Sequence, residues 1–292
     1  MFHKRLVIVF LQVFYFLYST HTKSMPASYT HYAVARDGFL CLMPELQTKL
    51  RPYLPLYFFG AQGADFCFFY PSPTPKTKNL GRLLHNEGGY AFFKILSALG
   101  GKNPRALAYA LGYASHYAAD VRFHPYVYYL SGKSLLKHSH VEARLDKFFR
   151  GRDARTAKRD PFASYSLAAL SKADLDELFF LYAAFAAFYG YPTLLKPPFL
   201  RSVSLFNAYT GGAFRLFKQD FYLLSERELL NADKAVWQHP KEPSIRSDDG
   251  ALELYAKAVV ETRDYAFALL KAAKEKRTPQ RTLFSKNFLS GL

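Results

Sequence analysis

The chain has 292 residues, 50% of them hydrophobic, which suffices to bury a full core as one large domain or two small ones and excludes a disordered polypeptide. Its 39 Lys and Arg against 23 Asp and Glu give a formal charge of +16, which favours anionic partners such as phospholipid headgroups or nucleic acid without choosing between them. The two cysteines, Cys41 and Cys67, both sit in apolar surroundings, read as buried free thiols, and lie outside any Cys-x-x-Cys zinc pattern.

Lys4 and Arg5 precede the apolar run Leu6–Tyr18, which has the length of a signal-peptide core rather than of a membrane span. Met25-Pro26 offers a second start. Two readings follow: residues 1–24 are a signal peptide and the chain is exported, or they are a start-site extension and a cytoplasmic protein begins at Met25. Beyond that point apolar residues recur mostly at three and four rather than at two, so the fold class is all-α.

A first helix is expected over 28–50, interrupted near Pro44, and Pro52, Pro55 and the Pro71–Pro75 cluster then call for a long connection that holds Gly63-Ala64-Asp65. A helix over 88–98 follows. The next starts with Asn103 as N-cap and Pro104 in the first helical position, and Pro125 should end it at His124. A further helix runs from near Ser134 to about Phe149, with Glu142 on its packed face. The segment 150–160 reads as a solvated basic loop. Asp174-x-x-Glu177 resembles a capping box that opens a helix ending before Gly190, apolar nearly all round and suited to central packing. Helices are expected at 201–218 and 248–275, and the basic stretch 271–287 reads as frayed.

The chemistry concentrates in His116-x-x-x-Asp120-x-x-x-His124 and, fourteen residues later, His138-x-x-x-Glu142. Residues four apart share a helix face with Cβ atoms about 5–6 Å apart, so each pair can hold one cation from adjacent turns. Histidine nitrogen with carboxylate oxygen suits zinc best. One such pair alone is better explained as a hydrogen-bonded core contact; two pairs with a third histidine between them are not. His31 and His85, taken singly, are capping or surface histidines.

Their order along the chain gives them another meaning. Thr30-His31-Tyr32, Gly63-Ala64-Asp65, Leu84-His85, His116-Tyr-Ala-Ala-Asp120, His124-Pro125 and His138-Ser-His-Val-Glu142 together resemble the ligand order of the zinc-dependent phospholipase C family, which is related to single-strand nucleases of the S1/P1 type. Leu230-Asn231 and Trp237-Gln238-His239-Pro240 are similar to bacterial proteins of that group. The resemblance begins at Met25, which favours the cytoplasmic start, and covers nearly everything from there to residue 292 as one multi-helix domain.

The resemblance implies that His85, His116 and Asp120 hold one zinc and that His124, His138 and Glu142 hold a second. Asp120 would bridge to a third at His31, and Asp65 would be the catalytic residue that orients or deprotonates the attacking water. His138 rather than His140 keeps the family spacing, with His140 as the alternative. The secreted enzymes complete the third site with an N-terminal tryptophan, whereas the one tryptophan here is Trp237; a Pro26 amine near His31 could substitute. The Asp120-to-His124 interval is shorter than in those enzymes, and no C-terminal lipid-binding β domain is evident.

The implied activity is hydrolysis of a phosphodiester by a metal-bound hydroxide, at the glycerol side of a phospholipid, with peripheral contact to an anionic membrane. Two alternatives stand beside it. One is a single-strand nuclease on the same site, for which the positive charge supplies attraction to nucleic acid. The other is a non-catalytic, zinc-stabilised membrane-peripheral binding protein, whose metals would be structural.

Overall fold

The computed structural model describes residues 28–86, 89–100, 103–153, 169–210, 224–288 and 290–291. The expected leader or start-site extension, most of the basic loop at 150–160, and the end of the helix expected to reach Lys218 lie outside the described residues.

Helices α1 (Ser28–Leu40) and α2 (Pro44–Leu50) divide where Pro44 begins a new first turn. Of the expected long connection, the part around Pro52 and Pro55 is helical, while the cluster from Pro71 to Pro75 lies in an irregular connection over 71–79. Pro52 and Pro55 occupy the opening positions of a 3₁₀ turn (Arg51–Tyr53) and of α3 (Leu54–Gly60), where a missing N–H costs nothing. A 3₁₀ segment at Asp65–Phe69, α4 (Leu80–Asn86) and α5 (Gly89–Gly100) lead to α6 (Pro104–Ser131), with Asn103 accepting from the Arg105 N–H as N-cap. Then come α7 (Leu135–Arg152), α8 (Lys172–Phe188), α9 (Lys196–Ala208), the single turn α10 (Glu226–Leu229) and α11 (Ala251–Lys274). A two-residue ribbon pairs β1 (Trp237–Gln238) with β2 (Arg246–Ser247), antiparallel. The chain is all-α.

The central element is α6, 28 residues long, in which every residue from Ala106 to Val127 except Arg122 is buried. Alanine and glycine on all sides let neighbours approach closely, as expected of a helix with no solvent face. At its crossing with α3, a Cβ on Gly112 would stand 1.9 Å from the Tyr57 carbonyl oxygen, and one on Gly60 would stand 2.6 Å from that of Tyr109. This contact presses the turn after α3, Gly63-Ala64-Asp65, against the middle of α6. One apolar cluster wraps the first part of α6 with α2 to α5, α8 and α9; a second wraps its last part with α1, α7, Trp237 and the start of α11.

Further expectations fail. Pro125 lies inside α6 instead of ending it, because the packing around this buried stretch outweighs the lost hydrogen bond and ring clash, together about 3 kcal/mol. The capping box is Ser171 with Asp174, one turn before Asp174-x-x-Glu177. Helix α8 is not buried all round: Leu178, Leu181, Tyr182 and Phe185 face the core, while Phe180 and Phe188 are exposed. The stretch 271–287 is not frayed, since α11 continues to Lys274, a 3₁₀ turn covers Arg281–Phe284, and Phe284 and Phe288 are fully buried. Of the two free thiols only Cys67 is buried; Cys41 is exposed. Among the described residues no helix is long and apolar enough to cross a membrane.

Candidate metal centre

His116, Asp120 and His124 stand on successive turns of α6 and point the same way, so His124 belongs to a ligand stripe within the helix rather than to its end. His138 and Glu142 form the matching stripe on α7, whose start is fixed by the Ser134 hydroxyl accepting from the Lys137 N–H. His31 comes from the first turn of α1, Asp65 from the turn after α3, and His85 from the last turn of α4. All eight side chains are buried.

They converge in three groups of ligand atoms: His85 with His116 and Asp120, His124 with His138 and Glu142, and His31 with Asp65 and His116. Asp120 stands at the centre, with Oδ2 3.2 Å from His116 Nε2 and Oδ1 3.3 Å from His31 Nε2 and 3.8 Å from His124 Nδ1. Glu142 Oε1 lies 3.1 Å from His138 Nε2 and 3.5 Å from His124 Nε2. His140, half-buried, belongs to none of the groups.

The donors fit a cation better than they fit one another. Among the described residues neither ring nitrogen of His116 makes a hydrogen bond, and His31 Nδ1, His138 Nδ1 and Asp65 Oδ2 are equally buried and unpaired. Buried polar atoms without partners cost about 1–3 kcal/mol each, so several together in one place call for a ligand. His85 shows the same in its tautomer. Its Nδ1–H donates to the Gly81 carbonyl at 2.7 Å, which turns the Nε2 lone pair towards Asp65 Oδ1 at 3.0 Å. Two lone pairs at that distance require a proton or a cation between them. A cavity of about 20 Å³, bordered by His31, Asp120, His124 and Glu142 and backed by Phe123 and Leu145, holds room for roughly one water.

The chain matches the family model described as zinc dependent phospholipase C over residues 30–190, more than half its length. It belongs to that family. Comparison with curated proteins and with solved structures gave no match. Zinc takes histidine nitrogen and carboxylate oxygen as ligands, and the convergence of α1, the turn after α3, α4, α6 and α7 brings both kinds of donor together.

Protons and metal compete for these groups. Burial opposes charge on Asp120, but His116, His124 and His31 outweigh it and hold the carboxyl below the usual carboxylate range. Burial also disfavours the His124 imidazolium, yet Asp120, Glu142 and the Phe288 carbonyl raise its pKa to about 9. Burial pushes His116 well below the ordinary histidine value, so near neutral pH the hold on Asp120 falls to His124 and His31. A histidine raised from 6.5 to about 9 stabilises the metal-free fold fully below 6.5 and ceases to do so as pH climbs through 9. The metal-free protein is therefore expected to lose melting temperature between those pH values, while zinc loading tightens and removes most of the loss. Thermal melts with and without chelator across that range check both.

One contributor at this site was missed in the sequence. Asp146, buried and one turn beyond Glu142 on α7, accepts from the Tyr29 N–H at 3.1 Å, the Thr30 N–H at 2.8 Å and the Thr30 hydroxyl at 2.9 Å. It caps α1 and so fixes His31 over Asp120. The spacing His138, Glu142, Asp146 on one helix face was the available signal. Asp146→Ala leaves those donors without their acceptor and is expected to cost about 2–3 kcal/mol, measured by denaturant unfolding of the metal-free protein.

Proposed function

We propose that this chain hydrolyses a phosphodiester at the glycerol side of a phospholipid. One observation carries the reading: eight buried histidine and carboxylate side chains from five parts of the chain converge, with unpaired ring nitrogens, in a member of a zinc-dependent hydrolase family. His85, His116 and Asp120 would hold one zinc and His124, His138 and Glu142 a second, with Asp120 bridging to a third at His31. Bound zinc supplies Lewis acidity towards the phosphoryl oxygens and acidifies water at neutral pH.

The chain's own residues do the rest. Asp65 takes the proton of the attacking water on Oδ2, its unpaired oxygen, while Oδ1 stays against His85. Burial pushes the Asp65 pKa up against the opposing pull of His85, which makes the carboxylate a better base. Three carboxylates, Asp65, Asp120 and Glu142, do not neutralise two dications, so a loaded site attracts an anionic phosphodiester and stabilises charge accumulating in its transition state. Half-buried Tyr128, its ring 4.8 Å from that of His138, carries the exposed Lys241 ammonium over its face at 5.2 Å and adds a positive rim.

The +16 charge also suits a single-strand nuclease on the same site. Parallel assays separate the two. Short-chain phosphatidylcholine should yield diacylglycerol, chelator should stop the reaction, and a single-stranded oligonucleotide should remain intact. Cleavage of the oligonucleotide alone would replace the lipid reading, and inertness of zinc-loaded protein towards both would favour a structural role for the metals.

A further inference from the structure

We propose that the closing segment around Phe288, clasped by His239, is a positioning element of the metal centre and sets the affinity of the group formed by His124, His138 and Glu142. The proposal rests on the zinc reading of the site and on no particular substrate.

Phe288 touches ligands of both other regions of the centre. Its carbonyl accepts from His124 Nδ1–H, a contact across 164 residues of sequence, which fixes the tautomer so that the Nε2 lone pair faces Glu142. Its buried ring lies 5.6 Å from the ring of His85 and 5.8 Å from that of His116. A carbonyl that orients a metal-binding histidine commonly accounts for a 10–100-fold difference in metal affinity. Simple core packing would explain the ring but not the carbonyl aimed at a ligand nitrogen.

The segment is held on both sides of that carbonyl. Before it, the Lys286 N–H donates to the Tyr117 hydroxyl at 2.9 Å, and the Asn287 amide donates to the carbonyl of Asn86, the neighbour of His85, also at 2.9 Å. After it, His239 closes the clasp. Buried His239 accepts at Nδ1 from the N–H groups of Lys241 and Glu242, at 3.1 and 3.0 Å, so its proton resides on Nε2 and is donated to the Ser290 carbonyl at 2.9 Å. Both ring nitrogens are thereby committed, and His239 serves as a tether rather than a ligand. Gly291, at φ +70°, then packs on Pro125, where an added Cβ would stand 2.7 Å from the Val121 carbonyl oxygen. That is the carbonyl which Pro125 leaves without its helical donor.

The test measures zinc equivalents retained by the full chain at graded chelator concentrations. His239→Ala, and separately Gly291→Val, should weaken zinc at the His124 group by 10–100-fold while the other equivalents persist. His239→Gln, whose carboxamide can both accept and donate, should recover most of the affinity. In a chain already carrying His124→Ala, adding His239→Ala should change zinc retention no further. Unchanged affinity in the single variants, a uniform loss of all zinc in step with melting temperature, or additive effects in the double variant would each overturn the proposal. A wild-type chain that holds no zinc would overturn the zinc reading itself and the clasp with it.

Discussion

Asp65→Asn is expected to lower hydrolysis by about 10²–10⁴-fold while the protein keeps its zinc and its fold. Asparagine has nearly the shape of aspartate, and its carbonyl oxygen can occupy the place of Oδ1, 3.0 Å from His85 Nε2. What it lacks is a second oxygen able to take a proton where Oδ2 now lies buried and unpaired. The expected pattern is a fall in kcat with little change in KM and with wild-type zinc content. A different pattern would assign a different role, because Asp65 also stands within ligand distance of His31 and His116. Loss of one equivalent of zinc along with activity would make Asp65 a ligand of that group. Metal analysis beside steady-state kinetics distinguishes the two, and the pH profile adds a third readout, since removal of the base should abolish the limb that reports its ionisation.

The legible part of this centre is the part built from local geometry. Residues at i, i+4 on a helix meet whatever surrounds them, so His116, Asp120, His124, His138 and Glu142 could be paired from spacing alone. Asn103-Pro104 and Ser134 were legible as helix starts for the same reason. Pro125 misled because its penalty is local whereas its compensation is not: α6 is enclosed by two apolar clusters, and the closing segment packs at the very turn the proline disturbs. The contribution of Phe288 had no signature to read. It acts through a backbone carbonyl, which any residue possesses, at a distance of 164 residues from its partner. His31, Asp65 and His85 lie between these extremes, since each is an ordinary residue in isolation and only the packing of α1 and α3 on α6, and of α4 on the 3₁₀ segment Asp65–Phe69, places them together.

Gly63→Ala carries the other large expected effect, and it shows how tightly the backbone encloses the candidate ligands. Gly63 has φ +56°, where an L side chain costs about 1–2 kcal/mol before any contact is considered. A Cβ there would also lie 2.1 Å from His116 Cδ2 and 2.2 Å from Nε2, so either the turn or the imidazole must move. The turn is held in place. Tyr109 and Tyr182 both donate their hydroxyls to the Gly63 carbonyl at 3.1 Å, and the Gly63 N–H donates to Gly60 at 2.8 Å, next to the close crossing of α3 with α6. The imidazole must therefore yield, carrying Nε2 away from Asp120 and from the positions it shares with His85, His31 and Asp65. Overpacking of this kind adds about 1–3 kcal/mol to the strain. The expected result is a folded but less stable protein that has lost the zinc held through His116, with hydrolysis down at least about 100-fold. Gly112→Ala provides the comparison, since its Cβ would strike the Tyr57 carbonyl rather than a ligand. That variant should lose stability with its zinc affinity largely kept, so a Gly63→Ala protein that still bound its full complement of zinc would show that the turn, and not His116, is the part that moves.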